Sequence, residues 1–331
     1  MGFEVHDVER KAITIMRILK ESDEPLGARL ITRRLKDYGI DLGERAVRYH
    51  LKLMDGRGLT RLQGPREGRM LTRLGAEEVD NALVEDKIGF AISKIDLLAF
   101  RTDFEPEALT GKVPVNVSFF LRDRFKRALD AMRPTFEAQI CVSDRVAVAL
   151  EGERLGELTV PRGQIGLATV CSVVFNGTLL KAGVPVRSRF GGIVQVSQHA
   201  PHRFVELIDY AGSTLDPAAI FVRARMTSVR EVARTGNGRI LANFREIPAP
   251  GRTIAEGVIA ALARAGIWGV LATGEISEPV CEIPVELNKI GMVLLVGLNP
   301  VAAAQEAGVD ADNHSMSTLM DYQDLVPFKE L

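Results

Sequence analysis

Apolar positions at the start of the chain recur with the period of a helix. Val8, Ala12, Ile15, Ile18 and Leu19 line one face of a first helix, which the run Ser22-Asp23-Glu24-Pro25 stops. Leu30, Ile31 and Leu35 repeat the pattern within residues 26–38, and Gly39 stands where a C-terminal cap belongs. A third helix is predicted over residues 43–58, with Ala46, Val47, Leu51 and Met54 turned inward and Arg45, Arg48, Tyr49 and Lys52 outward. Two short β-capable runs follow, 60–63 and 69–72, joined by Gly64-Pro65-Arg66-Glu67-Gly68. Three helices and a hairpin in that order predict a winged helix-turn-helix over residues 1–82.

From Lys87 on, the pattern turns to strand-like runs of Val, Ile, Ala and Gly, and it repeats. Pro185-Val186 leads to Gly192-Ile193-Val194 as Pro284-Val285 leads to Gly291-Met292-Val293, an offset of 99 to 100 residues. Val113-Pro-Val-Asn116 and Ile240-Leu-Ala-Asn243 match at an offset of 127, each before a helical pattern. The difference implies an insertion of 27 or so residues in the first copy, around 134–163. The expected fold is α/β, or mixed α+β, with a mixed sheet. Residues 83–331 would form one regulatory domain of two similar halves, about 113–200 and 240–300.

Charge changes the picture at the N-terminal end. The net charge of −1 conceals a stretch, residues 29–73, with twelve Lys/Arg against five acids. Such an excess suits an anion-binding surface, and with the outward Arg45, Arg48, Tyr49 and Lys52, wing Arg66 and neighbouring Arg69 it points to DNA. In a winged helix the third helix enters the major groove while the wing touches the backbone or minor groove. A winged helix used for protein contacts, or for RNA as on some ribonucleases, is the alternative. Three dispersed cysteines do not make a disulfide framework, and the chain starts without the apolar run of a signal peptide. The most apolar stretch, 291–304, is too short to span a bilayer as a helix. A cytoplasmic protein is expected.

Catalytic motifs do not stand out. No GxGxxG or P-loop follows a strand, and no Ser/His/Asp or Cys/His grouping is evident. His199 and His202 have Pro201 between them and no third ligand nearby, so neither a metal nor a cofactor is expected. What stands out is polar residues inside segments that read as buried: Arg187, Ser188, Arg189, Gly191 and Gly192; Arg225 and Thr227; Asn243 and Arg245; and Asn299. Buried guanidiniums need partners. Arg side chains with hydroxyls and glycine-exposed amides would receive a small dicarboxylate, Arg187 and Arg189 holding its carboxylates and Asn243 and Arg245 serving as second-copy counterparts. Ion pairing with Glu206, Asp209 or Glu246 would explain the same arginines equally well.

These phrases resemble one family. Glu44-Arg-Ala-Val-Arg-Tyr-His-Leu-Lys, Gly177-Thr-Leu-Leu-Lys-Ala-Gly-Val-Pro-Val-Arg-Ser-Arg-Phe-Gly-Gly, Ser213-Thr-Leu-Asp-Pro, Met226-Thr-Ser-Val, Ala242-Asn-Phe-Arg-Glu-Ile-Pro-Ala and Gly297-Leu-Asn-Pro-Val-Ala-Ala, in order over nearly the whole chain, are similar to the archaeal NrpR nitrogen-regulation repressors. Ser213-Thr departs from the usual Thr-Ser. The resemblance implies a repressor, not an enzyme, with one winged helix and one regulatory domain. It would bind operator DNA as a homodimer or larger homo-oligomer, control nitrogen-assimilation genes and let go on binding 2-oxoglutarate. No residue-level ligand motif comes with the resemblance. An enzyme acting on a small 2-oxo acid with an accessory winged helix, and an RNA- or protein-binding module, are the competing readings.

Overall fold

Helical spacing becomes helices in the first of the two units into which the chain divides, Met1–Ile88 and Gly89–Leu331. The computed structural model describes residues 2–22, 24–64, 68–81 and 89–331. Helices α1 (Gly2–Lys20), α2 (Ala28–Asp37) and α3 (Glu44–Gly56) lead into strands β1 (Thr60–Gly64) and β2 (Gly68–Leu71), and α4 (Arg73–Asn81) closes the unit. Ile15, Ile18 and Leu19 of α1 meet Ile31 and Leu35 of α2 and Val47, Leu51 and Met54 of α3 in one apolar core. Leu30, expected inside, stands on the surface at 38% exposure. Gly39 ends α2 with φ +71°, a left-handed conformation that glycine adopts without a Cβ penalty. The ribbon is antiparallel, pairing Thr60 with Leu71 and Leu62 with Arg69. Arg66 and its neighbours at the tip lie outside the described residues.

The second unit opens with α5 (Phe90–Arg101) and then runs β3 (Lys112–Leu121), α6 (Phe125–Glu137), β4 (Arg145–Leu150), the short β5 (Arg154–Leu155) and β6 (Leu158–Thr159), β7 (Gln164–Val170), α7 (Val173–Lys181), β8 (Arg187–Ser197), β9 (Ala200–Asp209), α8 (Pro217–Arg223) and α9 (Val229–Thr235). The pattern then recurs as β10 (Gly238–Pro248), α10 (Arg252–Arg264), β11 (Val270–Ile276), β12 (Lys289–Leu295), α11 (Asn299–Glu306) and β13 (Asp312–Asp321), ending with β14 (Val326–Pro327). Two five-stranded sheets result, ordered β13-β3-β7-β4-β14 and β11-β12-β10-β8-β9. Every pairing in them is antiparallel, so the expected mixed sheet is corrected. The mixed α/β class and the two similar halves stand.

The register of the repeat differs from the sequence reading. Gly166 in β7 matches Gly291 in β12, and Val184 after α7 matches Val309 after α11, each 125 positions apart. With β3 matching β10 at nearly the same offset, no insertion is needed. The Gly192 and Gly291 pair at offset 99 relates β8 to β12, which flank β10 on opposite sides within one sheet. Both glycines make room for an aromatic ring, which explains the likeness without duplication: a Cβ at Gly192 would lie 2.8 Å from Phe204, and one at Gly291 2.9 Å from Phe244. The halves also exchange strands. The strand after α7, β8, pairs with β10 of the second half, and the strand after α11, β13, pairs with β3 of the first. Buried residues of both halves accordingly form one continuous core, with Val115, Met132 and Phe175 in the same cluster as Phe244, Leu262 and Ala303.

Candidate functional site

On α3 the inward spacing leaves Arg45, Arg48, Tyr49 and Lys52 exposed, Tyr49 by 63%. Arg48 leans on Glu44 one turn earlier at 3.0 Å, an exposed pair that holds the guanidinium weakly. His50, on the same helix, has its pKa lowered by burial and by Lys11, so its ring adds no cation at neutral pH. Arg69 has a partner within the unit. Its Nε donates to Asp55 Oδ2 at 2.7 Å while Asp55 Oδ1 accepts from the Thr60 hydroxyl at 2.6 Å, which ties β2 to the end of α3. Its Nε–H is thereby engaged inside the unit, while its side chain stays 21% exposed. Exposed Arg29, Arg33 and Lys36 of α2 and Arg61 of β1 add basic side chains that the charge count contained but that were not singled out.

The polar residues of the second unit separate into three groups. The first is ionic. Arg189 Nη1 meets Glu246 Oε1 at 2.7 Å and the Pro284 carbonyl at 3.0 Å, and the Glu286 amide donates to the same Glu246 oxygen at 3.1 Å. Arg187 pairs with Glu286 at 2.5 Å. The guanidinium of Arg189 also lies 4.7 Å from the Phe190 ring centre. These arginines strap the loop before β12 onto the sheet. The ion-pair alternative, with Glu246 as foreseen and Glu286 as not, therefore describes them in this structure. Gly191 and Gly192 belong to β8, which is paired on both edges, so their amides serve the ladder and are not presented to a ligand. Buried Ser188 accepts from Asn176 Nδ2 at 3.1 Å.

The second group holds the chain together elsewhere. Asn299 clamps Leu241, donating to its carbonyl at 3.0 Å and accepting from its amide at 2.9 Å. The Thr227 hydroxyl donates to Glu306, which also caps α9 through the Val229 and Arg230 amides. Arg225 is an exposed partner of Asp310 at 3.2 Å. His199 sits at the turn between β8 and β9 against Gly236, and no metal-binding group of His, Cys, Asp and Glu occurs among the described residues.

The third group is the candidate ligand site. Alternation along β10 sends Asn243 and Arg245 to the face opposite Phe244 and Glu246. Arg245 is 1% exposed. It donates to the Ser172 carbonyl at 2.7 Å and to the Ser172 hydroxyl at 2.9 Å, and Asn243 Nδ2 donates to that same hydroxyl at 2.9 Å. The Tyr210 hydroxyl donates to Asn243 Oδ1 at 2.7 Å. Burial pushes the Tyr210 pKa well up, which keeps it a neutral donor. Among the described residues no carboxylate lies within ion-pair distance of Arg245, and its Nε–H is buried without a partner. Burial lowers the Arg245 pKa to about 10, the expected response of a cation enclosed without a counter-charge. Cys171 lies beside it, with Lys94 of α5 and Asp216 within electrostatic reach of that thiol. Ala91, Ile95, Leu98 and Ala99 of α5 pack on Cys171, Val173 and Tyr210, closing the group from one side. Asn243 and Arg245 were legible in sequence. Ser172 and Tyr210 were not, although a serine directly after an apolar strand marks a strand-to-helix turn.

A winged helix with an outward basic helix, joined to a duplicated regulatory domain, has the architecture of a DNA-binding regulator. Comparison with known proteins supports the class. A profile described as NrpR regulatory domains NRD1 and 2 matches residues 88–327, and one described as the ribonuclease R winged-helix domain matches residues 13–79. Over 316 residues, 96% of this chain and 97% of the relative, the sequence is 44% identical to the global nitrogen regulator NrpRI of Methanosarcina mazei. It is 33% identical to the global nitrogen regulator NrpR of Methanococcus maripaludis over 93% of its own length, spanning 54% of that longer protein. A crystal structure of a nitrogen repressor-like protein, MJ0159, from Methanococcus jannaschii superposes with a TM-score of 0.62 at 25% identity, covering 72% of this chain and 98% of that one. The chain belongs to the NrpR family of global nitrogen regulators. That membership places it among transcription regulators and not among enzymes. No described helix is long and apolar enough to cross a membrane.

Proposed function

We propose that this chain is a cytoplasmic repressor that binds operator DNA as a homodimer through α3 and the wing. It releases that DNA when a small dicarboxylate, 2-oxoglutarate, enters the group around Arg245, and so controls nitrogen-assimilation genes. The observation that carries the effector half is the enclosed guanidinium with a buried, unpartnered Nε–H. A charge held this way is costly until an anion meets it, and arginine matches a carboxylate bidentately. The DNA half rests on the exposed Arg45, Arg48, Tyr49 and Lys52. One winged helix reads a short half-site, so two copies on an inverted repeat are expected. The effector can act only by preferring a conformation in which the two winged helices are wrongly spaced, since equal affinity for both states shifts nothing.

The resemblance of residues 13–79 to the winged helix named for ribonuclease R keeps RNA as the competing ligand. Titrating labelled duplex DNA and single-stranded RNA of equal length with the full chain at several salt concentrations separates the two. The proposal expects tighter binding to the duplex with a steep salt dependence. Tighter binding to RNA, or equal binding to both, would overturn it.

A further inference from the structure

The duplication supplies a comparison within the chain, because the strand and turn residues that hold Arg245 have counterparts in the other half, although Tyr210, which follows β9, has none. Asn116 of β3 stands where Asn243 stands in β10, Ser118 where Arg245 stands, and Gly297, after β12, where Ser172 stands after β7. Strand exchange makes the contacts cross: Asn243 of the second half meets Ser172 of the first, and Asn116 of the first half meets Gly297 of the second.

The two places are not alike in chemistry. Around Arg245 a cation, two side-chain donors and a hydroxyl converge. At the counterpart, Ser118 replaces the cation and donates to Asn313 Oδ1 at 2.7 Å, and Asn116 Oδ1 accepts from the Met316 amide at 2.9 Å while its Nδ2 is buried without a partner. No Lys or Arg among the described residues hydrogen-bonds to Asn116 or Ser118. Space is missing as well. A Cβ added at Gly297 would lie 2.1 Å from the Val170 carbonyl oxygen and 2.7 Å from Asn116 Nδ2, so backbone fills the position that the Ser172 side chain occupies in the other copy. A carboxylate placed there would be buried with no opposite charge.

We propose that the regulatory unit binds one small anion per chain, at Arg245, and that the equivalent place in the first half is closed and locks the two halves by backbone contact. This rests on the reading of Arg245 as the effector site. It implies that any cooperativity in the response arises between chains and not within one.

Calorimetry of the full chain with 2-oxoglutarate tests it. One site per chain is expected. Ser118→Ala, in the closed copy, should leave affinity and stoichiometry unchanged. Tyr210→Phe should keep one site while weakening it about two- to twelvefold, the loss of one supporting hydrogen bond. Arg245→Gln should abolish binding. Two sites per chain in the wild type, one of them surviving in Arg245→Gln, would overturn the single-site proposal while leaving the effector reading intact, whereas a single wild-type site that survives Arg245→Gln unchanged would remove the reading of Arg245 as the effector site and this proposal with it. Because the wild-type stoichiometry decides by itself, a misfolded Arg245→Gln protein does not blunt the test. Absence of binding to the wild type would remove the effector reading, and this proposal with it.

Discussion

Replacing Arg189 distinguishes a strap from a ligand contact. Glu246, its partner, has a fully buried side chain, whereas that of Arg189 is 21% exposed. One Glu246 oxygen serves Arg189 and the Glu286 amide, and the other has no partner. Arg189→Met would thus leave a buried carboxylate with a single backbone donor. Breaking a buried pair from one side costs about 3–5 kcal/mol, far more than an exposed pair. At roughly 2–4 °C per kcal/mol for a unit of this size, the midpoint should fall by roughly 6–20 °C. Glu246→Gln should cost less, since the Arg189 guanidinium can reach water. The double variant should recover much of the loss, showing an interaction term that independent sites would lack. Trp268 is the only tryptophan and lies in the regulatory unit, so its fluorescence during urea unfolding reports that unit alone. A loss below about 1 kcal/mol for Arg189→Met, or simple additivity in the double variant, would refute the strap. A folded Arg189→Met protein that had lost 2-oxoglutarate binding would return Arg189 to the ligand.

Two further outcomes follow from the geometry. Arg48→Ala should cost about 1–3 kcal/mol on operator DNA and relax base preference, whereas Arg69→Ala, which leaves Asp55 only the Thr60 hydroxyl, should loosen the winged helix by about 1 kcal/mol and weaken all sequences alike; fluorescence anisotropy on operator and scrambled duplexes, with a melting curve for each variant, checks both. Burial raises the Cys171 pKa from 9.0 to about 11, so at pH 8 its thiolate is about 100-fold scarcer than that of an ordinary thiol and iodoacetamide should label it only after unfolding. The folded chain holds that proton more tightly than the unfolded one, so the thiol's contribution to stability is intact below pH 9 and is lost as pH rises towards 11. Rapid labelling of native Cys171 would show an open site instead.

The winged helix was legible because its core is local: Val47, Leu51 and Met54 recur at helical spacing on one short helix, and their inward turn puts Arg48 and Lys52 outside. The partner of Arg69 was not legible because a strand residue can turn to either face and Asp55 comes from a different element. The same holds for Arg187 and Glu286, which only the fold of the sheet brings together. Polar residues in apolar strands drew attention to Asn243 and Arg245, which are indeed buried, since a buried charge is rare enough to need a reason. Their companions escaped notice because Ser172 and Tyr210 carry no charge and reach β10 from a turn after β7 and from the end of β9. The repeat was sensed but misaligned, because glycines that admit Phe204 and Phe244 in neighbouring strands resemble one another more than the true equivalents do.

The central claim is that one chain couples operator binding to a dicarboxylate. Selection of bound sequences from random duplex DNA by the full chain, with and without 2-oxoglutarate, tests it most directly. The account predicts enrichment of an inverted repeat without the effector, loss of that enrichment with it, and enrichment regardless of effector for a folded Tyr210→Phe protein challenged at a concentration that only just releases the wild type. Failure to enrich any duplex at low salt, or identical enrichment by the wild type with and without saturating 2-oxoglutarate, would contradict it.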